Sequence, residues 1–227
     1  MFNRKQTILG VIGAGLLTIT LAACSSPATP APDKDKTPTS SATVTPKPVA
    51  DVKTLTGVDT QVAVDPGFLS ALTSLGVAPG VVGTATLSEA GVLSFPITGG
   101  HVKYFDPAEK YRPYVQGEID HDGSGLSLTA GDKKVELTDF VIDPGTSRLT
   151  GTVSVNGEVA AEDAFLFNLD GTTLKPLQVN EDGTAVLEGT RVLISKDAAP
   201  LLNETFGVTA IKAGMLVGIA KITINTK

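Results

Sequence analysis

VLSFPITGGHVKYFDPAEKYRPYVQGEIDHDGSGLSLTAGDKKVELTDFVIDPGTSRLTGTVSV, residues 92–155, is the stretch whose reading decides the fold. Apolar and polar residues alternate in short runs, and Gly and Asp clusters separate the runs. A period of two puts one set of side chains on each face of a strand. Strands are therefore expected at Val92–Ile97, Tyr114–Ile119, Val135–Ile142 and Leu149–Val155, with Leu126–Thr129 alternating between them. Asp120–Gly125, Ala130–Asp132 and Asp143–Gly145 read as turns, with His121 also able to end the strand before it, and Asn156-Gly157 is a strong two-residue hairpin signal.

The same punctuation continues outward. Val159–Leu169 reads as strand, with turns at Asp170-Gly171 and Asp182-Gly183. Turn signals about 8–12 residues apart point to antiparallel strands in a sandwich or barrel. On the N-terminal side, Thr60–Val64 alternates, and Asp65-Pro66 supplies an N-cap and a proline at the first helical position. Phe68, Leu69, Leu72 and Leu75 form a helical stripe that Gly76 ends, so a helix is expected over about 66–75. Val81–Ser88 reads as the strand that follows.

The C-terminal segment repeats this order. Thr190–Ile194 is a strand and Ser195 an N-cap. Leu201, Leu202 and Phe206 mark a helix over about 196–206, Gly207 ends it, and Met215–Ile224 is a strand. Residues 60–88 and 190–224 thus read as a duplicated strand–helix–strand unit around the β-rich centre. The expected fold class is mainly β: an antiparallel β-sandwich or barrel-like domain over residues 51–227, with two short helices.

Composition narrows the function. Aromatic residues make up 5% of the 227, Trp is absent, and Gly numbers 24, so the core must come mainly from Val, Leu, Ile and Ala with eight Phe. The net charge is −6; removing residues 1–23, which carry Arg4 and Lys5 and no acid, leaves −8. No basic stripe exists to neutralise phosphates, which excludes nucleic acid as a partner. The single cysteine, Cys24, excludes an intrachain disulfide and a cysteine metal centre.

That cysteine has a special setting. Arg4 and Lys5 precede an apolar run, Ile8–Leu21, too short and Gly-rich for a comfortable transmembrane helix. Leu21-Ala22-Ala23-Cys24 follows and resembles a bacterial lipobox. The resemblance implies cleavage before Cys24 and diacylglycerol on its thiol, which makes the membrane a partner through that lipid. Residues 1–23 are then a lipoprotein signal peptide. Residues 24–50, rich in Pro, Thr and Ser, form a tether. Ser25 follows the cysteine where retention at an inner membrane would favour Asp, by likeness to Gram-negative lipoproteins. The expected location is the cell membrane or outer membrane, facing away from the cytoplasm.

Both histidines and all three tyrosines fall within 92–155. His121, Tyr104, Tyr111 and Tyr114 are the candidate ligand-binding residues, because imidazole nitrogen and phenol oxygen can both coordinate haem iron. The opposing expectation leaves the tyrosines edging the core with their hydroxyls in water, and His121 in a solvated turn. Asp120, Asp122 and Ser124 do not meet the calcium-loop pattern. Ser124 lacks the context of a nucleophile, and Glu162 and Asp163 face apart on a strand. No catalytic residue and no metal site is expected.

Three elements carry a family resemblance. They are Phe95-Pro-Ile-Thr-Gly-Gly100, Gly117-x-Ile-x-His121-x-Gly-x-Gly-Leu126, and Val135-x-Leu-x-x-Phe140 followed by Leu149-Thr-Gly151. Together they resemble HtaA-type bacterial surface domains over about 95–155. The resemblance implies a β-rich fold and haem binding at the cell surface through Tyr and His, and it carries over to this chain at His121. That family's aromatic N-terminal segment, where a ligand tyrosine lies, has no counterpart here. The chain thus reads as a lipid-anchored, extracytoplasmic surface or binding protein without enzymatic activity. The alternatives are a carrier of haem or another small hydrophobic ligand, and an enzyme of unknown class.

Overall fold

The computed structural model describes residues 45–226. The expected signal peptide, Cys24 and most of the expected tether lie outside the described residues. Thirteen strands and two helices follow in order: β1 (Ala50–Val52), β2 (Val58–Val64), α1 (Pro66–Ser74), β3 (Ala78–Gly83), β4 (Thr86–Leu87), β5 (Val92–Pro96) and β6 (Gly99–Tyr104). Then come β7 (Val115–Ala130), β8 (Lys133–Asp143), β9 (Arg148–Val155), β10 (Glu158–Asp170), β11 (Gln178–Val179), β12 (Thr184–Ile194), α2 (Ala198–Phe206) and β13 (Leu216–Asn225).

Local chemistry explains most boundaries. Asp65 caps α1 by accepting from Phe68 N at 3.1 Å, with Pro66 opening the helix. Ser195 Oγ accepts from Ala198 N at 2.9 Å and Asp197 N at 3.2 Å, so it holds the first turn of α2 although the helix begins two residues later than expected. Val155 pairs with Glu158 across Asn156-Gly157, as the hairpin signal requires.

Three expectations need correction. Asp120–Gly125 is strand, not turn: β7 runs through it, because β6, β8 and β3 take up its backbone groups on both edges. The strand expected at Val81–Ser88 starts earlier and breaks after Gly83, with β4 set apart. The strand expected at Thr190–Ile194 begins earlier, at Thr184, as β12, with a register shift between Glu188 and Thr190. The two strand–helix–strand segments also differ in pairing: β13 returns to pair β12, whereas β3 leaves β2 and pairs β7.

All pairing is antiparallel, in the order β1-β6-β7-β8-β9-β10-β12-β13-β2-β5-β4. The ends of that order meet in one stretch of chain. Residues 92–96 bond to β2, while 99–104 bond to β7. Between them, Ile97 N donates to Val58 O at 3.1 Å and Thr98 N to Asp120 O at 2.8 Å. The sheet therefore curls back on itself into a half-barrel, the barrel-like form of the expected class.

Bulges divide the curl into a packed half and a half that surrounds a cavity. Between His121 and Gly125 of β7, three residues face one on β8, Asp139, which takes φ 53°. The bulge resets which side chains point inward. On one side of it lie Val135, Leu137, Val153 and Leu166, all buried in a core joined by Leu72 of α1 and Leu202 of α2. α2 packs on β10, and α1 on β3 and β13. Lys133 Nζ ties this end together by donating to Thr205 O at 2.6 Å. Every strand, both helices and this core fall within one compact unit, residues 44–227, so the unit supplies its own means of folding.

Candidate functional site

The other half of the curl encloses a cavity of about 590 Å³. That volume lies in the range of about 300–1,000 Å³ usual for small-molecule sites. Its wall is the inward face of the sheet, read at period two. Thr60 and Val62 come from β2, Leu93 and Phe95 from β5, Val102 and Tyr104 from β6, and Ile119 and His121 from β7. Phe140 and Ile142 follow from β8, Phe167 and Leu169 from β10, Ala185 and Leu187 from β12, and Ile222 and Ile224 from β13. The Phe95 and Phe140 rings meet edge to face at 5.3 Å. No Asp, Glu or Lys contributes to the described wall.

His121 is the one imidazole in this wall and is 1% exposed. Its Nδ1 lies 3.1 Å from the Phe140 carbonyl oxygen, which can only accept, so Nδ1 carries the proton. Nε2 is then the acceptor, and Thr60 Oγ1 donates to it at 2.8 Å. Burial pushes the imidazole down to about 4; the Phe140 bond and the charges of Asp122 and Asp59 oppose that only in part. The ring is neutral and both its nitrogens are engaged. Ser124, also buried, donates from Oγ to the His121 carbonyl at 3.1 Å and so helps fix the bulge.

The tyrosines stand elsewhere. Tyr104 and Tyr114 meet edge to face at 6.0 Å and both line the cavity. Tyr111 packs on Phe105 at 4.7 Å and is not part of the wall. Burial raises the Tyr104 phenol above its ordinary value, as do Tyr114 and Asp106, against an opposing bond from the Leu177 amide. The structure thus joins three of the four candidate residues to one cavity. His101, by contrast, is exposed on β6. The expectation of a solvated turn around His121 fails, because β7 carries that residue inward just before the bulge. No cluster of three or more His, Cys, Asp or Glu able to hold a metal occurs among the described residues.

Sequence reasoning missed the rest of the wall and also Arg112. The alternation of apolar residues was visible, but it does not distinguish an interior filled by side chains from one that encloses space. Arg112 lies in the segment between β6 and β7, where no alternating run or motif marks it.

The arrangement fits haem iron poorly. An axial histidine must offer a free nitrogen, and Thr60 occupies Nε2 while Phe140 occupies Nδ1. A ligand tyrosine must lose its proton readily, and the Tyr104 phenol is held the other way. The apolar wall itself suits a hydrophobic molecule.

Fold and site together define a class: a curled antiparallel β-domain with an apolar interior. The C-terminal domain of HtaA from Corynebacterium glutamicum shares the fold, with a TM-score of 0.52 at 14% identity over 77% of this chain and 98% of that one. The heme binding protein HtaB from the same organism gives 0.48 at 9% identity, over 78% and 96%. The N-terminal domain of HtaA gives 0.45 at 10%, over 77% and 99%. No family model and no curated protein matches the sequence.

Proposed function

We propose that this chain is a non-enzymatic, extracytoplasmic binding protein that carries a small hydrophobic ligand inside its curled sheet and is held to a membrane by lipid on Cys24. The supporting observation is the apolar cavity of about 590 Å³. Burying apolar ligand surface there contributes about 25 cal/mol per Å² before the costs of association. The lipobox Leu21–Cys24 and the Pro/Thr/Ser-rich tether support the anchored part of the reading. Loss of lipid labelling in Cys24→Ser is expected, and persistent labelling contradicts the anchor.

The cavity is tested by titrating the unit of residues 44–227 with N-phenylnaphthylamine, a neutral dye that brightens in apolar surroundings. Saturable one-to-one binding is expected. Ala185→Phe and Ala220→Phe, which project into the cavity, should each weaken it at least about tenfold. Absence of saturable binding contradicts the proposal. So does undiminished binding by both filled variants once circular dichroism shows them folded.

Haem carriage is the competing reading, favoured by His121 in the wall and by the resemblance of 95–155 to HtaA-type domains. It requires Thr60 to release Nε2. Hemin that gives no Soret shift with this unit, or a shift unchanged in His121→Ala, removes that reading.

A further inference from the structure

We infer that the ligand of this cavity is an anionic amphiphile, an apolar chain bearing one carboxylate or phosphate head, and that Arg112 receives the head at the mouth. This rests on the reading of the cavity as a ligand site and adds what kind of ligand it takes.

Arg112 is the one formally charged side chain in the described wall. That is notable in a chain whose net charge is −6. No Asp or Glu side chain lines the described wall beside Arg112. The four ion pairs among the described residues, Lys53–Asp51, Lys134–Glu136, Lys175–Glu188 and Arg191–Asp170, leave Arg112 out. Its own loop carries Asp106 and Glu109, but Asp106 caps the turn Pro107–Glu109 by accepting from Ala108 N at 2.8 Å, and neither acid pairs with Arg112.

The guanidinium is nevertheless held in place. Nη1 donates to Tyr111 O at 2.9 Å, and Nη1 and Nη2 both reach Pro107 O at 3.3 Å. Its carbon lies 5.1 Å from the centre of the Tyr114 ring. Carbonyls and a ring face orient the cation and leave its charge uncompensated. A fixed, exposed guanidinium is well suited to a carboxylate or phosphate.

The position is a rim. Gly145 of the neighbouring loop lies so close that a Cβ built on it would stand 3.8 Å from the Pro113 ring. Val179, part of the same wall, is 70% exposed. The far wall, around Phe95, Phe140 and Leu126, is apolar except for the Thr60–His121 pair, whose hydrogen bonds are complete. A ligand charged at one end and apolar along its length matches that gradient. A uniformly apolar ligand leaves Arg112 without a role, and a cationic one meets repulsion.

The test is displacement of N-phenylnaphthylamine from residues 44–227 by palmitate, hexadecyl phosphate, hexadecanol and hexadecylammonium, all below their micelle concentrations. At least one anion should bind about tenfold or more tighter than hexadecanol, as expected for a charge-assisted hydrogen bond. The ammonium should bind more weakly than the alcohol. Which anion wins identifies the head as carboxylate or phosphate. Shortening the chain by two methylenes should weaken binding about tenfold. In Arg112→Gln the ratio of anion to alcohol should collapse to within about twofold, and Arg112→Lys should restore part of it. Equal binding of all four heads, or a ratio unchanged in Arg112→Gln, overturns the inference while leaving the cavity intact as a site. Failure of the dye itself to bind overturns the cavity reading instead.

Discussion

Thr60 Oγ1 donates to His121 Nε2 at 2.8 Å across the inside of the curl, 61 residues apart in sequence. The two side chains are 4% and 1% exposed. With Nδ1 committed to Phe140, this bond completes the imidazole and joins β2 to β7 through a polar pair set in an apolar wall. A buried polar group is tolerable only when satisfied, and here every partner is present. The histidine of the Gly117–Leu126 element thus acts as a strut in this chain, and an iron ligand would have to displace Thr60.

The strut gives stability a pH dependence. In the unfolded chain the imidazole titrates near 6.5, and in the folded chain burial holds it at about 4. Between those values the unfolded state binds a proton that the folded state refuses. The stability contributed is therefore complete above pH 6.5, falls as pH drops toward 4, and changes no further below it. The span corresponds to about 3 kcal/mol. Urea unfolding at pH 7 and at 4.5 should show this loss in the wild type, and His121→Gln should lack most of it. An equal loss in both contradicts the assignment.

Ser195 is a second polar strut. Fully buried, it donates to Phe165 O at 2.6 Å and receives Asp197 N and Ala198 N. Ser195→Ala removes a helix cap and leaves a half-buried carbonyl without this donor. A loss of about 1–3 kcal/mol is expected by chemical denaturation.

Closure of the curl depends on close backbone approach at β6–β7. A Cβ on Gly117 would stand 2.0 Å from His101 O, and φ at Gly117 is +125°. Gly117→Ala should lower Tm by about 5 °C or more, since steric clash adds to an unfavourable backbone region. The same change at Gly91, whose Cβ would meet nothing within 4 Å, carries only the backbone penalty and should cost less.

Much of the fold was legible because it is local. Asp65 and Ser195 mark helix starts by the short reach of their side chains, and Asn156-Gly157 marks a hairpin by its backbone preference. Alternation in Val135–Ile142 and Leu149–Val155 marks strands because each buries one face. Asp120–Gly125 was misread because its residue types favour turns in isolation. Neighbouring strands on both edges overrode that preference, which no local pattern records. Closure through residues 92–104 depends on partners far away in the chain, β2 on one side and β7 on the other. Tyr104, Tyr114 and His121 were legible as candidates by residue type alone. Their shared cavity was not, since Leu93 or Ile222 has the same character in a wall as in a filled core.

The interior can be probed most directly with a crystal of residues 44–227 soaked in terminally brominated dodecanol, located by anomalous diffraction from bromine. This neutral chain tests the cavity without relying on Arg112. The account predicts a bromine inside the curled sheet, in contact with apolar wall residues such as Phe95, Phe140 or Ile222. Bromine found only on the outer surface, or none within the sheet at saturating ligand, would contradict it.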